Sequence, residues 1–196
     1  MLLQDVLITL GRVFVWSVLS WLLGLALAYP AAKAPGFRRM LLPVVNFFRH
    51  VSPYCWLPVV IIVAGTGELA VGLILLAAML FTAIVMSIEI FSGIPRDILD
   101  QAALDGAHAG SLVRHIEIPL TIGELLNLFR ILWSVAWTTV IAAEMLGVSS
   151  GVGYRLLDFR YLLMYPQMFF YILVTGALGI AVDILLLRFR RLILAC

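Results

Sequence analysis

No charged residue occurs from 13 to 32, from 51 to 67, from 69 to 88 or from 161 to 182. A helix needs about 20 apolar residues to cross the hydrocarbon of a bilayer. In lipid the backbone must satisfy its own hydrogen bonds, and a helix does so within one segment. The runs therefore confine the chain to an all-α integral membrane protein. Composition agrees: of 196 residues, 64% are hydrophobic and 12% charged, against about 25% charged in soluble domains. So little polar surface cannot cover a soluble globule.

Five spans are expected, near 6–32, 45–66, 68–91, 120–146 and 165–189, within a single transmembrane domain over 1–196. Pro53 and Pro58 break the second, which suits a helix facing protein or a water-filled path rather than lipid. The uncharged run 131–143 is too short to cross alone. Its span must reach back toward Leu120, which puts Arg130 at membrane depth. The fifth span passes Asp183 and stops at Arg188, Arg190 and Arg191. The first apolar run is too long for a signal-peptide core and is expected to stay in the mature protein.

A formal charge of +2 with one lysine, Lys33, gives no reason to expect nucleic acid as a partner. Two cysteines and three scattered histidines offer no disulfide or metal framework. No Gly-x-x-x-x-Gly-Lys-[Ser/Thr] loop is present, so the chain cannot hydrolyse ATP by that route. Basic residues in short loops favour the cytoplasm. With five spans, Lys33, Arg38, Arg39, Arg96, Arg114, Arg188, Arg190 and Arg191 share one side, against Arg155 and Arg160 opposite. The loop 92–119 and the C-terminus are therefore expected in the cytoplasm, and the N-terminus outside.

That loop is a polar island between apolar runs. Pro95 suits the first turn of a helix, and Asp97 and Asp100 then lie near the positive end of its dipole. Ile98 with Ala102, and Leu99 with Ala103, fall on common faces. Gly106 and Gly110 can end or turn the helix, and Ser111 can cap a second one. At these residues the chain resembles the permease subunits of ABC importers of the type I fold. Their cytoplasmic loop reads Glu-Ala-Ala, three residues, Gly, nine residues, Ile, one residue, Leu-Pro. Asp100, Gln101 and Ala102 stand for Glu-Ala-Ala, Gly106 for the Gly, Ile116 for the Ile, and Ile118-Pro119 for Leu-Pro. The spacing is kept; Asp for Glu, Gln for Ala and Ile for Leu are departures. The resemblance implies that Asp97, Asp100, Gln101, Ala102, Ala103, Leu104, Asp105, Gly106 and His108 form a coupling helix seated on an ABC ATPase subunit. It also implies a bacterial inner-membrane subunit, a second permease chain and an extracytoplasmic solute-binding protein. No cofactor would be bound by this chain, and ATP and magnesium would sit on the ATPase. Many such subunits have six spans, and this one reads as the five-span core.

Ionisable side chains at membrane depth are costly unless paired or hydrated, which makes them site candidates. Arg130 either lines a path or pairs with Asp183 at similar depth. Trp133 and Trp137 either belong to interfacial belts or stack a flat substrate in a cavity. Small residues, among them Gly24, Ala28, Gly176 and Gly179, permit close helix packing. Glu144 follows Ala142-Ala143 and precedes Gly151-Val152-Gly153. This resembles the branch serving nitrate, sulfonate and taurine, where an Ala-Glu pair precedes a Gly-Leu-Gly turn near the external side of the path. Two readings remain open for Glu144: a gate or packing role, or an interfacial carboxylate satisfied by glycine-rich backbone. An ion-coupled carrier using Glu89, Arg130, Glu144 and Asp183 is an alternative, as is a membrane-embedded enzyme. The resemblance implies a small solute of the sulfonate, nitrate or vitamin-like class as cargo.

Overall fold

The computed structural model describes residues 2–104 and 108–195, which are helical apart from short connections. Helix α1 (Leu2–Lys33) runs to a lysine that suits the negative end of its dipole. Pro35 then opens α2 (Pro35–Arg49), because the first turn of a helix tolerates a missing N–H. Pro53 and Pro58 do the same for a single 3₁₀ turn, Pro53–Trp56, and for α3 (Leu57–Ala64). Two long helices follow, α4 (Glu68–Ser92) and, beyond the polar island, α7 (Ile118–Gly147). Between them lie α5 (Arg96–Leu104), α6 (Ala109–Leu112) and a widened turn, Val113–Glu117, that leads into α7 without a break. The chain ends with α8 (Val152–Tyr161) and α9 (Tyr165–Ala195).

Helices α1, α4, α7 and α9 are long and apolar enough to cross a membrane, and α2 with α3 makes a fifth candidate bent by 88°. The second stretch is thus not a straight helix over 45–66. Helix α2 occupies 35–49, ahead of most of that expected span. The chain turns at 50–52, before Pro53, since proline disfavours a helical residue ahead of it. Arg38 meets Ser92 at one end of the bundle, Phe48 stacks on Phe81 partway along α4, and α3 ends near Glu68 at the other end.

The core is the triangle of α1, α4 and α7. Val13, Ile74, Leu75, Met79, Leu128, Leu132 and Val140 fill it. Without a hydrophobic drive between helices in lipid, close approach has to come from small residues. Gly24 supplies one such contact, where a Cβ would collide with Ala83. Gly72 supplies another beneath the Trp16 indole. Gly179 lets Trp137 lie against α9, whereas Gly176 faces open space and packs nothing. Helix α9 otherwise stays largely exposed.

Candidate functional site

At the end holding the start of α1, the residues Asp5, Thr9 and Arg12 recur at helical spacing and are all buried in a bundle of mostly apolar side chains. Arg12 is only 6% exposed and is shared between two carboxylates. Its Nη1 donates to Glu144 Oε1 at 2.6 Å and to the Ser150 carbonyl at 2.8 Å. Its Nε donates to Glu68 Oε2 at 2.7 Å, and Nη2 reaches Ser150 Oγ at 2.8 Å. Glu144 is wholly buried. It also accepts from the Thr9 hydroxyl at 2.8 Å and from the Gly153 N–H at 2.9 Å. Thr9 Oγ1 in turn accepts the Val152 N–H at 3.0 Å, so one hydroxyl ties α1, α7 and α8 together.

The turn after α7 needs its glycines for this. Gly151 has φ +102°, and a Cβ there would strike the Glu144 carboxylate. A Cβ on Gly153 would strike the Ile141 carbonyl. A second cluster pins the same end: Arg155 Nε lies 3.2 Å from Asp5 Oδ2, and the Tyr171 hydroxyl 3.3 Å from it. Burial works against the charge on Arg155, but Asp5 and then Asp158 outweigh it and raise its pKa. Glu68 stands apart, 69% exposed on its side chain. With Thr66, Leu146, Ser149 and Ser150 it lines an open cavity of about 460 Å³.

Mid-length on α7, Arg130 pairs with Asp183 of α9 in a two-pronged contact, Nε to Oδ1 at 2.6 Å and Nη2 to Oδ2 at 2.8 Å. The structure thus brings these two predicted residues together, half-exposed beside a cavity of about 350 Å³. Glu144 lies elsewhere, in the Arg12 cluster. Trp133 and Trp137 are core residues, 6% and 8% exposed, not open aromatic walls. Trp133 packs edge-on to Phe14, and only parts of the two indoles reach a small cavity of about 80 Å³.

At the opposite end, Lys33 bonds the buried Glu117, joining the end of α1 to the start of α7. Arg190 Nε donates to the Gly123 carbonyl at 3.0 Å and fixes the end of α9 there. From this end α5 projects. Asp97, Asp100 and Gln101 are exposed, Ala102 is half-buried, and Leu104 is 87% exposed. Ala103 belongs to α5, while Asp105 and Gly106 lie outside the described residues. His108 is exposed, and its carbonyl accepts the N–H groups of Ser111 and Leu112. His108 rather than Ser111 therefore precedes α6, and Ser111 lies inside it.

Sequence reasoning missed Arg12, Glu68, Thr9 and Ser150. The signal for the first and third was the polar spacing 5, 9, 12 in an apolar run. Nothing local marked Glu68 as a partner.

Four long apolar helices, a bent fifth and an exposed helical projection define a polytopic membrane subunit. Residues 20–194 match the family described as "Binding-protein-dependent transport system inner membrane component". The chain belongs to that family: it is a permease subunit of an ABC importer, an inner membrane protein, and the family is one of transport permeases rather than enzymes. A "Probable ABC transporter permease protein" of Brucella melitensis is 28% identical over 189 residues, 94% of this chain and 75% of that one. The taurine transport system permease protein TauC of Escherichia coli is 24% identical over 151 residues, 77% of this chain and 55% of that one. A solved structure, the MetNI methionine ABC transporter in inward-facing conformations, superposes with a TM-score of 0.73 at 16% identity, covering 92% of each chain. The fold is that of a type I ABC importer permease.

Proposed function

We propose that this chain forms a translocation path together with a second permease chain, identical or not, and that cytoplasmic ABC ATPase subunits drive it through α5. An external solute-binding protein delivers the cargo. The chain itself binds no cofactor; ATP and magnesium belong to the ATPase. The observation that carries this reading is α5. It is a nine-residue helix, below the about 12–15 residues at which an isolated helix is even marginal in water. Yet it presents Ile98 and Leu104 to its surroundings between acidic residues. A short amphipathic helix of this kind suits the groove of a partner.

The orientation follows from charge. Lys33, Arg38, Arg114, Arg188, Arg190 and Arg191 gather at the α5 end, which the positive-inside rule assigns to the cytoplasm. The Arg12 cluster then faces outward. Likeness to the taurine protein supports a small sulfonate as cargo within the sulfonate, nitrate or vitamin-like class expected. Leu104→Asp tests the reading. Because Leu104 touches little, the change alters bundle stability by no more than about 0.5 kcal/mol. It should nonetheless abolish co-purification of an ATP-hydrolysing chain. Co-purification at the wild-type level would count against α5 as the contact.

A further inference from the structure

The long helices differ in what they show outward. On α1 the large exposed residues include Phe14, Val15, Leu19 and Leu22, and on α9 they include Phe169, Leu173, Ile180 and Leu185. On α7, between 121 and 145, the exposed residues are Glu124, Ser134 and Thr138. Asn127 and Arg130 are half-buried beside them. Positions 124, 127, 130, 134 and 138 advance by three and four, so they mark one face of the helix. Fourteen residues of helix span about 21 Å, most of the hydrocarbon thickness.

We infer that this face, Glu124–Asn127–Arg130–Ser134–Thr138 with Asp183 opposite, is the water-lined wall of the translocation path. Thr138 could sit in lipid alone, since its hydroxyl donates back to the Val135 carbonyl at 3.0 Å. Arg130 and Asp183 could not, because charged side chains at membrane depth face the bundle interior or water. The cavity of about 350 Å³ beside them is lined by Arg130, Ile131, Ser134, Val135 and Asp183. A smaller one of about 80 Å³ shares Ser134 and Asp183 with it. Because Asp183 neutralises Arg130, the middle of the wall offers hydrogen bonds without net charge. That suits a small polar solute, which has to leave as readily as it enters.

The inference rests on the importer reading, and the two can fail separately. In a Cys55→Ser, Cys196→Ser chain assembled with its ATPase, Ser134→Cys and Thr138→Cys are treated with a membrane-impermeant maleimide in membrane fragments open on both faces. Leu173→Cys and Ile184→Cys on α9 serve as apolar controls, and Ser149→Cys as a loop control. Only a thiolate reacts, and an apolar surround keeps the thiol protonated, so positions 134 and 138 should react at least about tenfold faster than 173 and 184. If both react as slowly as the α9 controls while Ser149→Cys reacts, the wall is refuted. Normal ATP hydrolysis in that same sample would leave the importer reading standing. Absent hydrolysis with reactive thiols would refute the importer reading and keep the wall.

Discussion

Glu144 has no exposure and three donors, and it shares Arg12 with Glu68. Removing one partner of a buried pair leaves an uncompensated charge at a cost of about 3–5 kcal/mol, while replacing both is far milder. Arg12→Leu should therefore sharply lower the unfolding midpoint in detergent, and Glu144→Leu added to it should recover much of the loss. A strictly additive double variant would contradict the pairing. The glycines give a sharper contrast. Gly153→Ala drives a Cβ into the Ile141 carbonyl and should destabilise by about 1–3 kcal/mol. Gly176→Ala meets open space and should be neutral or gain up to about 1 kcal/mol from helix propensity. Unfolding curves of the two proteins decide this. Glu144 was legible in the sequence because its carboxylate precedes a glycine turn in apolar surroundings. Arg12 was not, since a cation one residue ahead of an uncharged run reads as the edge of a span. Its partners are 56 and 132 residues away, and only the folded bundle brings them together.

Helix α9 is held to α7 at mid-length by Arg130 and Asp183, and toward its C-terminal end by Arg190 on the Gly123 carbonyl. Asp183→Ala strands an arginine at membrane depth, where translocon scales charge about 2.5–3.5 kcal/mol for an unpaired cation. We expect Arg130→Ala with Asp183→Ala to assemble better than Asp183→Ala alone, read as the fraction of chain in complex by size-exclusion chromatography. Equal yields would mean that the pair carries no packing load. Helices α1, α4 and α9 were readable because about twenty uncharged residues admit one outcome in lipid, and α7 because its short run 131–143 had to extend back through Arg130 to cross. The elements that escaped were α2 and α8. Helix α2 mixes Arg38, Arg39 and Arg49 with apolar residues, so it resembles a loop by charge although Val45 packs against α4. Helix α8 is folded by Asp5, Thr9 and Glu144 reaching across from α1 and α7. No periodicity within 152–161 announced those contacts.

At the scale of the whole molecule the two ends are built differently. The end that holds the start of α1 is tied by buried ion pairs around Arg12 and Asp5, which join α1, α7 and α8. The opposite end carries the exposed α5, joined to α4 through 93–95 and followed by α6 and the turn Val113–Glu117 that leads into α7. Lys33 on Glu117 ties that turn to α1. On the proposed reading, a push on α5 by an ATPase would reach the foot of three spans, α1, α4 and α7, whose far ends are tied together around Arg12. The most direct test places a lone thiol at Gln101→Cys in the Cys55→Ser, Cys196→Ser chain and applies a bifunctional crosslinker in sealed membranes of known sidedness. The account predicts labelling from the cytoplasmic face alone, a crosslink to the ATP-hydrolysing subunit, and loss of solute uptake once joined. Labelling from the external face, or undiminished ATP-driven uptake after deletion of 96–104, would contradict it.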